Sequence, residues 1–202
     1  MRQMINFMTI IFTFLLFVIP IKSFASMPDI SAGETHFDFS SGCYILKNNV
    51  QVIARGRTMT ANEAKVQIMS QKVWANGDVT LKQEGYYFKC DSIYVQGKLK
   101  TVDVLGNVEF AQDDVISITS RVGQFSWGTK VANFYGDVKV NIADIEKLNF
   151  ADGLNIDKDN VAGTYDHVQY NIREKIIILL EKNVDSIPKM EFPEPDPSEG
   201  QD

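Results

Sequence analysis

At 202 residues and 45% hydrophobic content, the chain is long enough to bury a core of its own and is no wholly disordered polymer. Its formal net charge of −6, with no long Lys/Arg run, excludes the basic stripe expected of a nucleic-acid binder. The two histidines, His36 and His167, stand alone, and no G-x-S-x-G, metal-ligand spacing or phosphate-cradling glycine loop is present, so the reading is of a non-enzyme without a cofactor.

The first 25 residues differ in kind from the rest. Arg2 precedes an apolar run from Ile5 to Ile19, Pro20 breaks it, and Ser23 and Ala25 supply small residues before a cut ahead of Ser26. This is the layout of a secretory signal peptide, and the run falls short of the roughly 20 residues that span a bilayer. The rival is an uncleaved membrane anchor. Export would remove Arg2 and Lys22 and leave 18 basic against 26 acidic residues, a net of −8.

Residues 26–184 form the expected folded domain. Three stretches resemble one another: Asn76-Gly-Asp-Val-Thr, Leu105-Gly-Asn-Val-Glu and Tyr135-Gly-Asp-Val-Lys. With Gly77, Gly106 and Gly136 as marks, the spacings are 29 and 30. Stepping outward by the same intervals reaches Asn48 and Asp166, giving five marks, the signature of a repeat architecture. Val50, Val79, Val108, Val138 and Val168 lie two residues after the marks, and Val52, Leu81, Phe110, Val140 and Tyr170 lie four after. Polar residues such as Lys82, Glu109 and Lys139 fall between them. Apolar residues at every second position predict strands with one dry face.

A second motif recurs between the marks, with Met59, Phe88 and Ile118 followed by a small residue at Ala61, Cys90 and Ser120, and then Ala64, Ile93 and Gly123 three positions on. The odd step predicts a bulge or corner. A poorer copy begins at Phe150 and includes Ala151, Leu154 and Ile156. Each unit therefore holds two strands and a bend. The polar column Asp78, Asn107 and Asp137 reads as turn-stabilising, and Asp113 and Asp114 read as solvated turn residues. No sustained helical periodicity follows the export segment. The expected fold is all-β: about five stacked units of about 30 residues forming two sheets that face each other, open at both ends. The exposed strand edges are expected near Tyr44, Leu46 and Val50 and near Ile176, Ile177 and Ile178.

Cys43 and Cys90 lie in the exported part, where a disulfide can form, although strand parity places them on opposite faces. From Asp185 onward six acids face one lysine, among prolines, and this tail is expected to stay disordered.

These marks and their spacing resemble the OstA-like (LptA-like) periplasmic proteins of lipopolysaccharide export, over about Ile30 to Val184. The resemblance implies a twisted, V-shaped open β-jellyroll whose apolar interior binds the acyl chains of lipid A. On that reading the lipid-facing residues are Met59, Val79, Leu81, Phe88, Val108, Phe110, Ile118, Phe125, Val138 and Val140. It further implies periplasmic location, head-to-tail assembly, and partners among ABC-transporter-linked export proteins and an outer-membrane translocon. Two alternatives stand beside it. One is an inner-membrane-anchored LptC-like component, and the other a structural β-repeat module without lipid.

Overall fold

The computed structural model of the chain describes residues 29–54, 56–150, 163–180, 188, 190–196 and 198. The signal-like segment and the irregular copy at Ala151, Leu154 and Ile156 lie outside them. Among the described residues no helix is long and apolar enough to cross a membrane.

The described residues start with two short strands, β1 (Asp29–Ser31) and β2 (Glu34–Asp38). Seven long ones follow: β3 (Cys43–Ala54), β4 (Arg57–Gln67), β5 (Lys72–Gln83), β6 (Tyr86–Gln96), β7 (Thr101–Gln112), β8 (Ile116–Ser126) and β9 (Val131–Ile142). A 3-10 turn, Ile145–Lys147, leads to β10 (Asn149–Phe150), and β11 (Thr164–Asn171) and β12 (Ile176–Leu180) complete the sheet among the described residues. Its order is β1-β3-β4-β5-β6-β7-β8-β9-β11-β12-β10, with β2 also on β3.

The expected alternation is present throughout, and the marks are where it is interrupted. Between Leu105 and Val108 β7 advances three residues while its partner β8 advances two, from Val122 to Ser120. The same extra residue occurs in β3, β5 and β9. At each mark two successive residues have positive φ: Gly77 and Asp78 (77° and 46°), Gly106 and Asn107 (76° and 46°), Gly136 and Asp137 (77° and 50°). Glycine adopts this backbone without strain, and Asn and Asp are the side chains that tolerate it best. At the first mark Asn48 and Asn49, at 62° and 55°, do the same work without a glycine. The polar column is thus a backbone requirement.

The bulges of β3, β5, β7 and β9 lie at one level, and the sheet bends there so that its two halves face each other. The two facing sheets expected from the sequence are the two halves of one continuous sheet. The rings of Phe88 in β6 and Phe134 in β9 are 6.4 Å apart, although their strands are three steps apart. A flat sheet would separate them by about 14 Å. Turns stack in two rows. In one row Gly97 N–H donates to Gln71 O at 2.7 Å, Trp127 N–H to Lys100 O at 3.0 Å and Ile172 N–H to Lys130 O at 2.9 Å. In the other, Asp113 N–H donates to Gly85 O at 3.0 Å and Ala143 N–H to Val115 O at 2.9 Å. The rows meet where Arg57 lies over the Trp127 ring, 5.6 Å from its centroid, and where Tyr170 Oη donates to Gln112 Oε1 at 2.5 Å.

Four expectations need correction. Asp166 sits at the fifth interval but does not have positive φ, and β11 runs antiparallel to β9 rather than repeating its direction. The bulge between them belongs to β9, so β11 occupies the slot of a between-mark strand. The first edge is not β3, because β1 pairs Asp29–Ser31 with Ile53–Gln51 and β2 pairs Glu34–Asp38 with Lys47–Cys43. Tyr44, Leu46 and Val50 are therefore inside the sheet. Cys43 and Cys90 are free thiols on opposite faces, as their parity indicated, and form no disulfide. Finally, part of the acidic tail is docked: Pro193 O and Asp196 O accept from Trp74 Nε1 and Gln67 Nε2, each at 2.7 Å.

At the C-terminal end His167 stacks on Tyr135, with centroids 4.4 Å apart, and its Nε2 lies 3.2 Å from Asn133 Oδ1. Burial lowers its pKa below the usual 6.5. The unfolded chain then binds more protons than the folded one just below pH 6.5, so His167 favours folding above that value and loses this contribution as pH falls toward the folded pKa. Denaturant titrations at pH 7.5 and pH 5.5 should show lower stability at the acid pH, and His167→Gln should reduce the difference. An unchanged pH dependence in that variant would remove His167 as the cause.

Candidate functional site

The inner face is one apolar surface drawn from both halves of every long strand. The small residues of the second motif sit opposite the valines of the marks: Ala61 faces Val50, Cys90 faces Val79 and Ser120 faces Val108. Across the bend Ala64, Ile93 and Gly123 face Leu46, Ala75 and Val104. The alternation of small and large residues across neighbouring strands lets the facing halves approach. A Cβ on Gly123 would lie 2.8 Å from Val104 Cγ2, too close without a shift.

Of the ten residues expected to face lipid, Met59, Val79, Phe88, Val108, Phe110, Ile118, Phe125, Val138 and Val140 are buried on this face, and Leu81 is half-buried beside it. The middle is filled by rings. Phe88 and Phe110 are 4.8 Å apart, Phe110 and Phe134 5.6 Å, and Phe110 and Tyr170 5.8 Å, centroid to centroid. Burial raises the Tyr170 phenol pKa, so this group stays neutral and hydrogen-bonded to Gln112. Burial also pushes the Cys90 thiol up to about 12, which leaves it a small inert hydrophobe.

The face ends differently at its two termini. At the N-terminal end Tyr44 pairs with Val66, and Phe37 of β2 pairs with Tyr44, so both continue the inner face. Yet each is 39% exposed, and Phe39 beside them is 88% exposed. Their rings stack edge-on, Phe37–Phe39 at 4.9 Å and Phe37–Tyr44 at 5.0 Å. Ile68 and Met69, in the turn that follows β4, are also exposed. The interior therefore opens on an apolar rim. At the C-terminal end Ile177 is fully buried, and β10 pairs in parallel with Ile176 and Ile177. Ile178 is half-buried and, among the described residues, is paired by β11 alone. Sequence reading missed Phe37 and Phe39 because β2 has a single inward apolar residue and no repeat partner.

The outer face is polar at the marks. A shallow depression of about 330 Å³ is lined by Asn107, Glu109, Arg121, Asp137 and Lys139 among others, and an Arg121–Asp137 ion pair at 3.2 Å crosses it. Both partners of the pair are more than half exposed, which makes it a minor stabiliser. Among the described residues no three His, Cys, Asp or Glu side chains come together as metal ligands would.

A single unclosed, bent sheet with an apolar inner face and bulges in register is a β-jellyroll built from repeated hairpins. The sequence from residue 47 to 175 matches the family described as OstA-like protein, and the chain belongs to that family. Among solved structures it is similar in fold to LptH, the LptA homologous periplasmic component of the conserved lipopolysaccharide transport device from Pseudomonas aeruginosa. Identity is 9%, the TM-score is 0.46, and the likeness covers 85% of this chain and 92% of that one. No curated protein matches the sequence.

Proposed function

We propose that this chain is a periplasmic carrier of a lipopolysaccharide-type glycolipid, whose acyl chains are held against the inner face of the bent sheet. The carrying observation is that the inner face is apolar from strand to strand and runs out, at Phe37 and Tyr44, into an exposed apolar rim. Membership of the OstA-like family supports the same reading. The acyl chains enter at the rim, and burial favours the bound state by roughly 0.8 kcal/mol per CH₂ group. Transfer is passive within this chain, so export proteins linked to an ABC transporter supply the drive and an outer-membrane translocon receives the lipid. The complete burial of Phe88, Phe110 and Phe134 favours a second reading, a closed-core envelope scaffold without cargo.

Photo-crosslinking groups at Tyr44, Met59, Val79, Leu81 and Val140 should capture lipopolysaccharide, whereas groups at the outward Lys82 and Glu109 should not. Capture from the outward positions alone would sink the proposal, and native mass spectrometry finding no copurifying glycolipid would favour the scaffold. Assembly is tested separately. Head-to-tail joining would pair the free side of β12 with the β1/β2 end of the next copy. Sedimentation should then show association that rises with concentration and is lost in Ile178→Asp. A monomer at all concentrations would refute the joint without touching the lipid reading.

A further inference from the structure

The outer face carries an aromatic cluster that neither a lipid-binding interior nor a sheet edge explains. Trp74 and Tyr94 project from β5 and β6 away from the core and stack on each other at 5.2 Å, with Cys43 buried beside them. The pair is flanked in register by Lys65 on β4 and Asp103 on β7, and an aromatic pair between charged neighbours needs a cover. The cover is the C-terminal tail. Phe192 packs on the cluster with its ring 5.9 Å from Tyr94. Trp74 Nε1–H donates to Pro193 O, and Gln67 Nε2–H donates to Asp196 O, each at 2.7 Å. Gln67 is 1% exposed and its Oε1 accepts from the buried Ser70 hydroxyl at 2.6 Å, so its amide is held in place before it meets the tail. Lys65 Nζ lies 3.7 Å from Glu194, and the Ser198 hydroxyl and N–H, with a smaller contribution from Lys72, hold the Asp196 carboxyl below the usual carboxylate range.

We propose that the outer face of β4, β5 and β6 is a recognition site for an extended, acidic, proline-containing peptide, and that the chain's own residues 190–196 are its resident ligand, bound in cis. The contacts have the character of proline-segment recognition: an aromatic shelf, an indole N–H and an amide reading main-chain carbonyls, and basic residues at the margin. The direction of the tail identifies the occupant. Phe192 meets β6, Pro193 meets β5, and Glu194 and Asp196 meet β4. A segment leaving β12 in the same molecule approaches from the β7 side and meets the strands in this order. A tail arriving across a head-to-tail joint would meet β4 first. Reach agrees: five strand steps from β12 to β6 amount to about 24 Å. The twelve residues from Leu180 to Phe192 extend to about 40 Å.

The test uses the full chain and its two tryptophans. Exchange of the Trp74 indole proton with water is measured by NMR, with Trp127, which packs on the inner core under Arg57, as the internal reference. In the wild-type chain Trp74 exchange should be slow. In Phe192→Asp it should accelerate at least tenfold, while the backbone amides of β3 to β9 keep their protection. A synthetic peptide of residues 188–198, PKMEFPEPDPS, should restore slow exchange to the Phe192→Asp chain and bind the wild-type chain at least tenfold more weakly, because the tail competes. Slow exchange that persists in Phe192→Asp, or a peptide that fails to restore it, overturns the recognition site. Protection in the wild-type chain that rises with protein concentration overturns the cis assignment and places a second copy's tail in the groove. None of these results depends on lipid.

Discussion

Phe110→Ala is expected to lower the unfolding free energy by about 4 kcal/mol, the usual cost of truncating a fully enclosed phenylalanine. Phe110 is 0% exposed and lies within ring contact of Tyr86, Phe88, Phe134 and Tyr170, which come from three other strands. These neighbours cannot collapse together into the vacated space without moving strands whose positions the bulges and turn rows set. In a domain of this size the loss corresponds to a fall in melting temperature on the order of 10 °C. Phe110→Leu should cost about 1 kcal/mol, because most of the volume remains. Denaturant unfolding followed by tryptophan fluorescence measures both. A Phe110→Ala loss below about 1 kcal/mol would mean that the rings already repack freely. The interior would then be an adaptable lipid surface rather than a rigid core, so the stability measurement also bears on the choice between carrier and scaffold.

Gly106→Ala is expected to have the second-largest effect, from two separable causes. Its φ of 76° is strained for a residue with a Cβ, which costs on the order of 1–3 kcal/mol. A Cβ there would also run into the carboxylate of Asp91 on the neighbouring strand. Gly85 isolates the first cause, since its φ is 80° and nothing lies within 4 Å of the Cβ it would acquire. Gly85→Ala should therefore report strain alone, with Gly106→Ala exceeding it. Asp91→Ala in the Gly106→Ala background should recover the excess, less the bonds from Asn107 Nδ2 to Asp91 at 2.9 and 3.2 Å. Equal losses at Gly85 and Gly106 would show that the contact with Asp91 relaxes at no cost. The repeat would then conserve backbone shape without constraining its neighbour.

What could be read without coordinates was whatever each unit repeats locally. Period-two alternation in β3 to β9 assigned the strands and their dry face, because side chains on a pleated strand point alternately to its two sides. The positions of Gly77, Gly106 and Gly136, and the odd step from Ala61 to Ala64, located the bend, because a positive φ narrows the residue choice wherever it occurs. Parity alone placed Cys43 and Cys90 on opposite faces. The inner surface followed from the same columns, so all ten residues assigned to it lie on it or beside it.

Contacts between distant segments were decided only by the tertiary structure. The interval from Gly136 to Asp166 fits the repeat, but the direction of β11 depends on how the chain returns to β9, and spacing carries no direction. The covering of β3 by β1 and β2 rests mainly on main-chain hydrogen bonds, which almost any residues can supply, so Glu34 to Asp38 gave little signal. Trp74 and Tyr94 fall outside the repeated apolar columns, and the tail reads as disordered. Each was half of one contact separated by about a hundred residues of chain. Repetition writes local geometry into a sequence many times over. A pairing made once leaves two unremarkable halves, and only the folded chain brings them together.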